Sequence, residues 1–258
     1  MNDMDRKNAF QKRAENVKKR LSGVRHVIAV MSGKGGVGKT TVSVNLAAVL
    51  SGYGPTALVD ADIDCPNVNR FLGITERLMS AGGGIVPAES HGMKVVSFAS
   101  FQEREDQPII WRGPMLSNAI MQILEQVEWG DLDYLVVDLP PGTSDIPLTI
   151  MQMLRPEGVV IVTTPQPVAV TDAKKAANMA KKLGIPVLGI IENMSGEVFG
   201  RGGGMEAAKQ LGIDFMGSLE LDRQINKSSE QGRPFVLGDS GCSNKFKQMA
   251  RKVKGGLK

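Results

Sequence analysis

The sequence predicts an α/β fold in three layers, a mostly parallel sheet with helices on both faces. Short β-branched runs alternate with longer segments of helical period along the whole chain, the order that strand, crossover helix and next strand take in a parallel sheet. Several runs are apolar nearly throughout, as strands covered on both faces must be. With 258 residues, 42% of them hydrophobic, the chain can bury one full core, and whole-chain disorder is excluded. There is no internal repeat or low-complexity tract, and "SAGGGIV" and "GRGGG" are too short to be linkers. We read residues 25–258 as one domain and 1–24 as a basic N-terminal helical extension.

The net charge of +4 hides an uneven distribution. Residues 1–25 carry eight Lys/Arg against three Asp/Glu, and 245–258 carry six against none, so the body between them is acidic. Basic ends either hold nucleic acid or anionic lipid or simply keep a surface solvated. The second role is expected, with no specific nucleic acid and no membrane as partner. In "FKQMARKVKGGL", Phe246, Met249, Ala250 and Val253 share one helical face, narrow enough that packing on the body is expected over skimming a membrane. No run approaches the roughly 18 apolar residues that span a bilayer, and the N-terminus lacks the apolar middle of a signal peptide. A cytoplasmic location is therefore expected. Cys65 and Cys242 are the only cysteines, and a reducing compartment would keep both as thiols.

In chain order, strands are expected at 26–31, 56–60, 94–99, 134–139, 158–163, 186–192 and 215–219. Helices are expected at 39–51, 115–127, 145–154, 170–183 and 205–211, each ending near Gly, Pro or a charged break.

The first strand runs into "SGKGGVGKTT", residues 32–41. Gly33, Gly38, Lys39 and Thr40 fit G-x-x-x-x-G-K-[ST] in the strand-to-helix setting that a phosphate loop requires. The backbone N–H groups of Gly33, Lys34, Gly35, Gly36, Val37, Gly38, Lys39, Thr40 and Thr41 would curl round the phosphates of ATP, the helix adding its positive dipole end. Lys39 would reach the β- and γ-oxygens, and Thr40 would offer its hydroxyl to Mg²⁺. A plain strand-to-helix turn is the other reading of these glycines. A metal carboxylate is expected at another strand end, and "YLVVDLPPG" supplies Asp138, whose alternative role is to cap a turn. Gly142 stands where its N–H could sense a γ-phosphate. The second strand ends in "VDADID", at the carboxyl edge where a parallel sheet binds ligands. If Asp60 still belongs to the strand, Asp62 lies one step further out, able to hold the attacking water and to join the Mg²⁺ site. Asp64 reads as a cap before Pro66.

Lys34 needs an explanation of its own. Two ammonium groups in one small loop repel unless phosphate lies between them or one turns away. "KGGVGKTT" resembles the deviant Walker A loop of the P-loop NTPases that include MinD, ParA and nitrogenase iron protein, whose extra lysine crosses a dimer interface. The resemblance implies a homodimer built across the nucleotide, with Lys34 acting in trans as an arginine finger does.

Within that group the chain looks most like the Mrp/NBP35 ATP-binding iron–sulfur cluster carriers. The resemblance rests on "VDADIDCPNVNRFLG", "WRGPMLSNAI", "DYLVVDLPPGTSDIPLTI", "VTTPQPVAVTDAKKA", "GIIENMS", "FGRGGG" and "GRPFV". It implies that Asn193 hydrogen-bonds adenine, and that the protein is an ATPase, slow without a partner, working in cluster assembly. The alternative is a positioning or partitioning ATPase resembling MinD or ParA, without a cluster. Members of the carrier group place a C-P-x-C segment between "ENMS" and "FG.GGG", where two subunits hold a [4Fe–4S] cluster by four thiolates. Here only Gly196, Glu197 and Val198 stand between Ser195 and Phe199. The usual site lacks its ligands, leaving Cys65 and Cys242 as the remaining thiols. Partners implied are a second copy, and a cluster-carrying heterodimer partner or an apo iron–sulfur protein.

Overall fold

The structure is a computed structural model that describes residues 3–63, 65–81, 84–101 and 113–258. Its strands are β1 (Val24–Ser32), β2 (Thr56–Asp60), β3 (Met79–Ala81), β4 (Gly84–Val86), β5 (Ala88–Ser90), β6 (Met93–Ser97), β7 (Leu132–Asp138), β8 (Gly158–Thr163), β9 (Val187–Ser195) and β10 (Phe215–Glu220). The helices are α1 (Asp3–Arg20), α2 (Lys39–Leu50), α3 (Val68–Leu72), α4 (Gly113–Gln126), α5 (Asp145–Leu154), α6 (Pro167–Lys182), α7 (Gly203–Leu211), α8 (Arg223–Glu230) and α9 (Gly241–Gly255). All seven expected strands are present. The short elements β3, β4, β5, α3 and α8 are additions, too brief to show a hydrophobic period.

Eight strands form one sheet in the order β10-β9-β8-β1-β7-β2-β6-β5. Every neighbouring pair is parallel except the edge pair of β5 and β6. A small antiparallel pair, β3 with β4, lies apart. Side chains alternate between two buried layers, as a pleated strand requires. On β1, Ala29 and Met31 join the layer under α4, α5, α6 and α7, while Ile28 and Val30 join the layer under α2 and α9. Leu135 and Val137 on β7 divide from Tyr134 and Val136 in the same way. The central strands are therefore apolar nearly throughout because both faces are covered.

Both basic ends are packed. Val17 and Leu21, in and just after α1, enter the first core layer. The Arg20 guanidinium donates to the carbonyl of Val127 at 2.8 Å and to that of Gln126 at 3.4 Å. Those carbonyls close α4, so a cation sits where a helix leaves acceptors unpaired. On α9, Phe246, Met249, Ala250 and Val253 are all buried against α2 and the sheet, with Phe246 edge-on to Phe235 at 5.5 Å. The apolar face of the tail thus packs on the body. Phe246→Ala should lower stability by about 3–5 kcal/mol in equilibrium urea unfolding, since it empties a fully buried aromatic site.

Candidate functional site

The loop after β1 reaches α2 through two glycines that no other residue replaces without strain. Gly36 has φ +79° and Gly38, the N-cap of α2, has φ +82°. At Gly33 the constraint is spatial, because a Cβ there would lie 2.1 Å from the Asp172 backbone of α6.

Beneath this loop sits Asp138, the last residue of β7 and fully buried. Its Oδ1 accepts from the Lys39 ammonium at 2.8 Å and from the Ser43 hydroxyl at 2.6 Å, and its Oδ2 accepts from the Thr40 hydroxyl at 2.7 Å. Lys39, Thr40 and Ser43 all lie in the first turns of α2, so one helix delivers every donor. Ser43, one turn beyond Lys39, is a site residue that the loop pattern does not include. Its only signal in the sequence is a small hydroxyl four residues after the lysine.

Asp60 pairs in register with Asp138 on the neighbouring strand. Its carboxylate accepts from the Val68 amide at 3.1 Å, the Ser97 hydroxyl at 3.0 Å and the Asp62 amide at 3.2 Å. Burial first, then the charge of Asp138, pushes its pKa up to about 7, against the lowering effects of the Val68 amide and Lys39. Asp62 follows just outside the strand end, half-buried, and its Oδ1 accepts from the Cys65 amide at 3.4 Å. Asp60 does end the strand, so Asp62 takes the outer position that the sequence suggests. Asp64, Trp111 and Arg112 lie outside the described residues.

Two residues expected at the nucleotide make contacts within the chain. The single N–H of Gly142 donates to the Ser32 carbonyl at 2.8 Å, tying the turn after β7 to the end of β1. In this structure its one proton is thus given within the chain. Asn193 lies within β9, which runs three residues past its expected end, and is buried. Its Nδ2 donates to the Val37 carbonyl of the phosphate loop at 2.9 Å.

The donor set fits Mg²⁺. Thr40 gives its only proton to Asp138, so its oxygen lone pairs stay available beside a carboxylate, the hard ligands that this cation selects. Among the described residues no three His, Cys, Asp or Glu side chains converge as a metal site of their own. A cation held by Thr40, Asp138 and Asp62 would complete its shell from phosphate and water, as Mg²⁺ commonly does.

The two thiols stand on separate elements. Cys65 is exposed in the loop between β2 and α3, whereas Cys242 lies in the first turn of α9, 3.0 Å from the Ser240 hydroxyl. Where the carrier group has its cysteine segment, the chain makes a closed hairpin. Gly196 and Gly200 exchange both backbone hydrogen bonds at 2.8 Å. The last three glycines of "FGRGGG", residues 202–204, lead from this hairpin into α7. The buried Glu192 carboxylate accepts from the Gly202 amide at 3.0 Å and the Gly204 amide at 2.7 Å, capping that helix. A Cβ on Gly203 would lie 2.4 Å from the Pro165 carbonyl oxygen.

A cavity of about 430 Å³ opens at the opposite edge of the sheet, lined by Pro55, Thr56, His91, Met93, Lys94 and Leu132 among others. It shares no residue with the phosphate loop.

Fold and site together define a P-loop NTPase. Residues 23–254 match the family model described as ParA, NUBPL iron-transfer P-loop NTPase, and the chain belongs to that family. The iron–sulfur cluster carrier protein of Methanocaldococcus jannaschii is 44% identical over 263 residues, covering 96% of this chain and 91% of the relative. The carrier protein of Aquifex aeolicus is 42% identical over 249 residues, covering 91% and 68%. Among solved structures, a nucleotide-binding protein from Archaeoglobus fulgidus in complex with ADP superposes with a TM-score of 0.76 at 34% identity, covering 88% of this chain and 94% of that one. The Pyrococcus furiosus cell division ATPase MinD superposes at 0.69 with 21% identity, covering 89% and 98%, a likeness of fold. The main functional reading and the fold are thus those of the carrier family.

Asp138→Asn should lower stability by about 3 kcal/mol in urea unfolding without nucleotide, because it leaves the buried Lys39 ammonium without its counter-charge.

Proposed function

We propose that the chain is a Mg²⁺-dependent ATPase that cycles as a homodimer in iron–sulfur cluster carriage or assembly and turns over slowly until a partner engages it. The observation that carries this is the convergence of Lys39, Thr40 and Ser43 on Asp138 beneath a loop of left-handed glycines. The Lys39 ammonium has three protons, and Asp138 takes one, leaving two for β- and γ-oxygens. The amides of residues 33–41 would carry the remaining phosphate charge. Thr40, Asp138 and Asp62 would hold Mg²⁺, which would supply positive charge against the charge of the reacting phosphates. Asp62 at the rim would orient a water whose oxygen bonds to the γ-phosphorus as the bond to the ADP oxygen breaks, the proton leaving with phosphate. Lys34 is half-buried, and among the described residues no carboxylate lies within 4 Å of its ammonium. That supports a partner outside its own subunit, the γ-phosphate of a second copy.

The names of the relatives support an iron–sulfur role, and the Gly196–Gly200 turn, which holds no cysteine, supports a cargo that this turn does not ligate. The cargo would then sit on a heterodimer partner or be passed to an apo iron–sulfur protein. The apolar face of α9, which the positioning alternative would lay on a membrane, is buried against the body, and that favours the carrier reading. No helix among the described residues is long and apolar enough to cross a membrane. A cytoplasmic setting remains part of the proposal.

Lys34→Ala should keep ATP binding while turnover falls on the order of 10³-fold and ATP-dependent dimers disappear. Unchanged turnover and dimerisation, by phosphate release and light scattering, would remove the trans role. Asp62→Ala should likewise spare binding and suppress hydrolysis. Anaerobic loading with iron and sulfide should leave no stoichiometric cluster. About four irons per dimer, lost in Cys65→Ser or Cys242→Ser, would instead assign those thiols as ligands.

A further inference from the structure

Asn193 is tied to the phosphate loop itself. It stands on β9, two strands from the β1 end that carries the loop, and reaches across the edge of β8. Its Nδ2 lies 2.9 Å from the Val37 carbonyl oxygen, and the residue is only 4% exposed. The fit is tight, because a Cβ on Gly38 would come within 2.0 Å of that same nitrogen. Met194, the next residue, takes φ +56°, a left-handed conformation that few non-glycine residues adopt.

The Val37–Gly38 peptide is trans, so its carbonyl and its N–H point in opposite directions. On its far side stands Gly38, whose φ of +82° a side chain would strain. A hydrogen bond that holds the carbonyl toward Asn193 therefore fixes the Gly38 N–H away from Asn193. That N–H belongs to the set of amides that would cradle phosphate.

We propose that Asn193 is a positioning residue for the phosphate loop: its carboxamide holds the Val37 carbonyl and thereby aims the Gly38 N–H at the nucleotide phosphates. This rests on reading residues 33–41 as a nucleotide-phosphate loop. It makes Asn193 matter to any phosphate chain, whatever base is attached. A residue that only recognised adenine would matter to ATP alone.

The test is calorimetric titration of the full-length wild type and Asn193→Ala with ATP, GTP and inorganic tripolyphosphate, each with Mg²⁺. Losing a buried donor to a loop carbonyl should weaken all three ligands by about tenfold, leaving the ratio of ATP to GTP affinity unchanged. Loss of ATP preference with tripolyphosphate binding unaltered would overturn the proposal, and so would no change in any ligand. A wild type that bound none of the three would overturn the nucleotide reading beneath it, a different result. A second measurement needs no variant. Solvent exchange of the Asn193 carboxamide protons, followed by nuclear magnetic resonance on the wild type, should be slow with and without tripolyphosphate, and fast exchange would overturn the brace.

Discussion

A carboxylate with no solvent exposure has to be compensated where it lies, and Asp138 is compensated almost entirely by one helix turn. Removing such a group from water costs several kcal/mol even after relaxation, and only close, well-directed donors offset it. Lys39, Thr40 and Ser43 provide them within 2.8 Å, while the backbone carbonyl of Asp138 accepts the Ala61 amide at 2.9 Å. The start of α2 is thereby fixed over β7, and the glycine loop must take whatever path joins β1 to that point. The same charge has a cost on the next strand. Asp60, in register with it, cannot ionise as readily, and its carboxylate is held by two backbone amides and Ser97 instead. The two buried carboxylates thus divide their roles, one paired with a cation and the other with neutral donors.

Much of this is legible in the residues. The span 145–154 reads as a helix and 158–163 as a strand with the boundaries that the structure has, because the runs are long, apolar and closed by Arg155-Pro156 or by turns. The phosphate loop is legible because its residue pattern is contiguous: Gly36 and Gly38 answer to backbone angles, while the reason for Gly33, the Asp172 backbone, lies far along the chain. Features that depend on long-range approach are not legible in this way. Ser43 looks like an ordinary helix residue until β7 is placed beside it. Glu192 looks like a polar end to a strand until α7 is seen to begin at its carboxylate, and Gly142 looks free until the end of β1 is found to take its N–H. For Asn193 the resemblance implies a base contact, and only coordinates show the Val37 carbonyl in its reach.

The region after β9 separates two functions that share one stretch of chain in the carrier group. Glu192 and the glycines at 202–204 form a helix cap, a structural device that needs no metal. The hairpin between them carries only Gly196, Glu197, Val198, Phe199 and Gly200. The cap is made by Glu192 and the amides of Gly202 and Gly204 alone, so no side chain of the hairpin is needed for it.

Open sheets are vulnerable to growth by strand addition, and both margins of this one are guarded. At one margin β5 runs antiparallel for only three residues, too short and too differently directed to template a further parallel strand. At the other, β10 breaks register with β9 twice, and the Lys252 ammonium donates to its Met216 carbonyl at 3.0 Å, occupying an acceptor that an incoming backbone would need. Association by continuing the ladder is disfavoured at either end. Pairing between copies, as proposed above, would then fall to side-chain surfaces, which, unlike a ladder, can be made and released without breaking backbone hydrogen bonds.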